Sequence, residues 1–93
     1  MEINSKGEKN MRRIDMIEKI IMVILEQLNV NLTKEQVSES SKLEDIGVHS
    51  LNFVQVIVAL EDEFNVEFDD NELEISRFHT VQDLYEELVT LIE

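Results

Sequence analysis

The residues of this 93-residue chain with types suited to chemistry gather around one serine. Ser50 follows Gly47-Val48-His49 and precedes Leu51, so a hydroxyl stands beside an imidazole shortly after a glycine suited to a tight turn. A serine nucleophile with His49 or the other histidine, His79, as its base would use these residue types. The local pattern argues against it, because a nucleophile elbow needs a second glycine after the serine and a strand before it, and this stretch offers neither. Adjacent side chains seldom face each other, and a short helical chain leaves little room for a closed pocket, so no catalytic residue is expected. His79, just before a helix cap, reads as a surface or cap-adjacent residue. The carboxylates between Glu61 and Glu72 suggest a cation, but the glycine and alternating ligands of a calcium loop are missing. Loose screening by divalent ions is expected there, and no metal site. The chain has no cysteine, which excludes disulfides, thiolate metal sites and a thiol nucleophile. Any thiol chemistry must be imported.

The elements that would position Ser50 are helical. Pro is absent and Gly occurs twice, which favours helices and leaves little turn chemistry for a sheet. Ile14, Ile17, Ile21, Ile24, Leu25 and Leu28 recur at three and four residues, predicting an amphipathic helix over about 11–28 with Asn10 as its cap and Asn29 or Asn31 as its stop. Residues 30–49 form a long connection, which is usually functional at this length, and Val37, Leu43, Ile46 and Val48 should pin it across the core. The next helix is expected from Ser50 to Phe64, with Ser50 at its head. Asp69 and Glu72 have capping-box spacing for a short helix around 70–74. Thr80 and Asp83 cap a last helix with the apolar stripe Val81, Leu84, Tyr85, Leu88, Leu91 and Ile92. The expected fold is all-α, a small antiparallel four-helix bundle of three longer helices and one short one, with a long loop between the first two long helices. Residues 1–9 read as a disordered leader and 10–93 as the single domain.

Charge narrows the partners. Net charge is −13. Residues 1–42 balance seven bases (Lys6, Lys9, Arg12, Arg13, Lys19, Lys34, Lys42) against seven acids (Glu2, Glu8, Asp15, Glu18, Glu26, Glu35, Glu39), so in residues 43–93 fourteen acids face Arg77 alone. That field repels phosphate backbones and anionic lipid and favours encounter with basic protein surfaces. Nucleic acid and membrane are not expected partners. The longest apolar run, Ile20 to Leu25, is far short of the roughly 20 residues of a membrane span. With no signal or transit pattern at the start, a cytoplasmic location and, from the like charge, a monomer are expected.

The helix from Ser50 carries apolar residues on two faces. Phe53, Val56, Ile57, Leu60 and Phe64 make one stripe, assigned to the core; Leu51, Val54, Val58 and Asp62 make a second. Three other small helices can hardly bury both. The second stripe, ending in Glu61, Asp62 and Glu63, reads as an apolar docking strip with an acidic rim, where charge steers a partner and apolar groups hold it. A phosphate on Ser50 would be stabilised at a helix N-terminus, where N–H groups are free and the macrodipole is positive.

Leu43-Glu44-Asp45-Ile46-Gly47-Val48-His49-Ser50-Leu51, then Val54, Leu60-Glu61-Asp62-Glu63-Phe64, Phe68 and Thr80-Val81 with Leu84 together resemble the acyl and peptidyl carrier proteins over about residues 11–93. The resemblance implies that Ser50 is esterified by 4′-phosphopantetheine taken from coenzyme A, whose thiol carries an acyl or aminoacyl group as a thioester, and that the carrier itself catalyses nothing. It implies as partners a phosphopantetheinyl transferase, an acyl- or aminoacyl-loading ligase or transferase, and downstream synthase or tailoring enzymes with basic docking surfaces. His49, Leu51, Val54, Val58, Glu61 and Asp62 would meet them. His49 is a departure, since fatty-acid carriers generally have Asp before the serine and many peptidyl carriers have His. A discrete carrier of nonribosomal peptide or related secondary-metabolite biosynthesis is therefore expected, with a polyketide or fatty-acyl carrier and an unloaded interaction scaffold as the alternatives.

Overall fold

Apolar residues at helical spacing build the first element, and its burial shows which stripe the fold selects. In this computed structural model, which describes residues 12–69 and 73–92, helix α1 spans Arg13–Leu28 and buries Met16, Ile17, Ile20, Ile21 and Ile24. The observed stripe is rotated from the expected one: Ile14 in the first turn stays 67% exposed, while Met16 and Ile20 enter the core. Periodicity marks a helix as amphipathic, but the positions of its neighbours decide which edge of the apolar face is covered. Asn29 stops α1 in the left-handed conformation, its N–H donating to the Leu25 carbonyl, as Asn tolerates at a C-terminus. The expected cap Asn10 lies outside the described residues.

The long connection is pinned as expected, with Val37, Leu43, Ile46 and Val48 all buried. It carries structure that its composition hid: a 3-10 turn at Lys34–Gln36 capped by Thr33, and a one-turn helix α2 at Leu43–Ile46. Helix α3 spans Phe53–Phe64 and α4 spans Val81–Ile92. α1 is the element on which both α3 and α4 pack. The core between them is Ile20, Ile24, Val56, Leu60, Leu84 and Leu88, each fully buried, with Phe53 and Phe78 rings tilted against each other at 5.7 Å. The architecture is all-helical, with four α-helices and no strand among the described residues.

A short helix stands within the long connection. It is α2, before Gly47. Of the stretch 70–74, residues 70–72 lie outside the described residues, Leu73 and Glu74 are not helical, and the next regular turn is a 3-10 turn at Ile75–Arg77.

Ion pairs tie the neutral half of the chain to its neighbours. Lys19 meets Glu63 at 3.0 Å, joining α1 to α3, and Lys34 meets Glu18 at 2.8 Å. Arg13 pairs with Glu39 and stacks 4.8 Å from the Tyr85 ring centroid. Arg13 and Lys34 are paired with acids of their own half, and Lys19 alone of the three offsets a carboxylate of the acidic half.

Candidate functional site

The serine is presented by a reversal of the chain after α2. Gly47 closes that helix at φ +118, its N–H reaching the Leu43 and Glu44 carbonyls at 3.1 and 3.2 Å. Glycine takes such a conformation without the penalty a side chain would bring. Val48 then drops into the core at 2% exposure, with its N–H on the Leu43 carbonyl at 2.9 Å. Burying Val48 leaves His49, Ser50 and Leu51 on the outside, all three exposed.

Ser50 is not the cap of α3. The helix begins at Phe53, with Asn52 as its N-cap, and Ser50 sits in the turn leading into it. Side-chain bonds to the backbone of the preceding residues shape this entry. The Asn52 side chain, instead of capping forward, turns back: Oδ1 accepts the His49 N–H at 2.8 Å and Nδ2 donates to the Gly47 carbonyl at 3.0 Å. The His49 carbonyl accepts the N–H groups of Asn52 and Phe53 at 3.0 and 2.9 Å. The His49 ring folds over the same turn, with Nδ1 3.3 Å from the Leu51 N–H nitrogen. None of the described residues hydrogen-bonds the Ser50 hydroxyl, so no base is joined to it. Residue types and spacing do not single out Asn52. Its one signal is the preference of Asn for bonding nearby backbone in turns.

Beside Ser50 lies a cleft of about 440 Å³. Leu43, Val48 and Phe78 line it, and Lys42, His49 and His79 bring polar and cationic groups to it. Its far wall is fixed by the head of α4. The Asp83 carboxylate accepts the His79 and Thr80 N–H groups at 2.8 and 3.1 Å, and Thr80 Oγ1 accepts the Asp83 N–H at 3.3 Å, the reciprocal cap expected from their spacing. The Leu43 N–H reaches the His79 carbonyl at 2.8 Å, and the Val81 and Gln82 N–H groups take the Ser41 and Glu39 carbonyls. Free donors at the start of α4 thus latch the long connection in place. His79 is cap-adjacent as expected, and it also faces the cleft.

The two faces of α3 separate cleanly. Phe53, Val56, Ile57, Leu60 and Phe64 are buried. Leu51, Val54 and Val58 are 90, 61 and 51% exposed, and Asp62 is exposed beside them. Glu61 is half-buried, and its carboxylate accepts the Phe68 N–H at 2.8 Å. Among the described residues no three His, Cys, Asp or Glu side chains gather to hold a metal ion, and no helix is long and apolar enough to cross a membrane.

The site is thus an exposed serine in a turn, beside a cleft and an apolar strip. The family described as "Phosphopantetheine attachment site" matches residues 18–88. The chain belongs to the acyl carrier protein family. It is similar to an acyl carrier protein of Thermosynechococcus vestitus, 40% identical over 74 residues that cover 80% of this chain and 88% of that protein. It is also similar to one of Wolinella succinogenes, 51% identical over 53 residues that cover 56% of this chain and 67% of that protein. The carrier bears a covalent 4′-phosphopantetheine. Carriers of this family are generally not catalysts, and they work with a phosphopantetheinyl transferase and with enzymes that handle acyl groups.

Proposed function

We propose that Ser50 is the attachment residue and that the carrier holds an aminoacyl or acyl thioester in a nonribosomal peptide or related secondary-metabolite pathway. The observation that carries the first half is the exposed Ser50 hydroxyl, free of described hydrogen-bond partners, on the rim of the cleft. Attachment forms a bond from Ser50 Oγ to phosphorus as the pyrophosphate bond of coenzyme A breaks, adenosine 3′,5′-bisphosphate departs, and the serine proton leaves to a base outside this chain. The arm supplies the thiol that the sequence lacks. Lys42, His49 and His79 stand where an attached phosphodiester needs cations and donors, and the apolar wall of Leu43, Val48 and Phe78 suits the hydrocarbon part of an arm.

His49 beside the serine supports the peptidyl context. The names of the two relatives support the other reading, a discrete acyl carrier of polyketide or fatty-acid type. The family's cofactor argues against an unloaded scaffold. We take residues 10–93 as the carrier domain after a leader of 1–9, acting as a cytoplasmic monomer. Leu51, Val54, Val58 and Asp62 form the surface for partners with basic faces, with His49 and Glu61 at its edges.

Intact mass after incubation with coenzyme A, magnesium and a broad-specificity phosphopantetheinyl transferase tests the attachment. One phosphopantetheinyl increment on the parent and none on Ser50→Ala is expected; an increment on Ser50→Ala would overturn the assignment. Loading of the modified chain by an amino-acid-adenylating ligase, and not by a fatty-acyl ligase, is the result the peptidyl reading requires.

A further inference from the structure

We propose that Asn52 is a positioning residue for modification of the serine, acting through His49 and Gly47. This rests on the reading of Ser50 as the attachment residue. The side-chain amide bridges the turn on both of its polar atoms, accepting the His49 N–H at 2.8 Å and donating to the Gly47 carbonyl at 3.0 Å. These contacts span Val48, whose side chain is already fixed in the core. The peptide on each side of Val48 is therefore held at one point, and the His49–Ser50 peptide that follows has its carbonyl on the Asn52 and Phe53 N–H groups. The residue after Ser50 is held as well, because the Leu51 N–H approaches His49 Nδ1 at 3.3 Å.

Chemistry explains why the residue is an amide. Oδ1 and Nδ2 offer an acceptor and a donor on one planar group, whereas a carboxylate has acceptors only. Aspartate here could keep the His49 N–H, but it would face the Gly47 carbonyl with a second acceptor and lose that tether. The imidazole joins the same network in either neutral form. With the proton on Nε2, Nδ1 accepts from Leu51; with the proton on Nδ1, Nε2 can accept from Asn52 Nδ2, 3.4 Å away. Each state keeps one of the two contacts and sets a donor against a donor at the other, so one contact at a time ties the ring to the turn.

The energetic consequence lies in the attack geometry. The serine oxygen must meet a phosphorus atom held by another protein, and a displacement of about 1 Å can cost on the order of 100-fold in such a step. Val54 and Val58, on the exposed surface that would set affinity, take no part in this clamp, and Leu51 joins it only through its backbone N–H.

The test is steady-state transfer of phosphopantetheine from coenzyme A to the full chain by a phosphopantetheinyl transferase, normalised to the folded fraction from circular dichroism. Asn52→Ala should lower kcat by about 10- to 100-fold with KM within about twofold, and Asn52→Asp should fall between it and the parent. Parent-like kcat in folded Asn52→Ala, or a loss confined to KM, would overturn the proposal. Should Asn52→Ala fail to fold, Asn52→Asp and amide exchange on the unsubstituted chain still decide. The His49 N–H must exchange markedly more slowly than that of Ser50, and equal rates would show that the clamp does not exist. Ser50→Ala in the same assay tells the two readings apart: incorporation there overturns the attachment residue, whereas loss there with parent-like Asn52 variants overturns only the role of Asn52.

Discussion

Glu61 and Asp62 are neighbouring acids at the end of α3, and replacing each by alanine should separate folding from recognition. The Glu61 carboxylate holds the Phe68 N–H at 2.8 Å, and the Phe68 ring it anchors is 5% exposed. A hydrogen bond to a charged group contributes about 1.5–3 kcal/mol, and the half-buried setting of Glu61 places it near the low end, about 1.5 kcal/mol. Each kcal/mol moves the midpoint of a domain this size by about 4–8 °C, so Glu61→Ala should lower Tm by roughly 6–12 °C. Glu61→Gln keeps a neutral acceptor and should lose about half as much. Asp62 is exposed, and Asp62→Ala should stay within about 0.5 kcal/mol of the parent while slowing association with a basic partner. Because both substitutions remove one negative charge, Asp62→Ala also controls for relief of self-repulsion. Thermal melts followed at 222 nm, with association rates for a phosphopantetheinyl transferase, make the comparison. Equal Tm for Glu61→Ala and Asp62→Ala would refute the assignment of the Phe68 contact as a stabilising one.

Three further outcomes are expected. Gly47→Ala should destabilise by about 1–2 kcal/mol in urea unfolding with an unchanged m value, since an added Cβ would meet Leu28 and Val30 only at an ordinary 3.6 Å while φ stays at +118; parent-like stability would show that the turn can adopt another conformation. Thr80→Ala should cost about 0.5–1 kcal/mol, because it removes the side-chain acceptor of the Asp83 N–H while the Thr80 carbonyl at 3.1 Å and the two bonds to the Asp83 carboxylate stay in place; a chemical melt within error of the parent would contradict this. With fourteen acids against Arg77 in residues 43–93, Tm should rise as sodium chloride or magnesium is added, and a flat Tm would mean that self-repulsion does not limit the fold.

Features that arise from local period and local chemistry were legible in the sequence. The apolar spacing behind α1, α3 and α4, the two-faced character of α3, the Thr80–Asp83 cap and the pinning of Val37, Leu43, Ile46 and Val48 are all present in the fold. Gly47 was marked by its place before a helix, and Ser50 and His49 chiefly by the resemblance of their motif to carrier proteins. Tertiary structure decided the rest. Which edge of α1 is buried depended on where α3 and α4 pack, so Met16 and Ile20 replaced Ile14 in the core. The cleft beside Ser50 exists only because backbone groups of residues 39–43 saturate donors at the head of α4, a pairing between segments some forty residues apart that no local pattern encodes. The start of α3 was decided by the Asn52 amide folding back onto Gly47 and His49. Those bonds depend on where the Gly47 turn places backbone groups in space, which residue types do not carry.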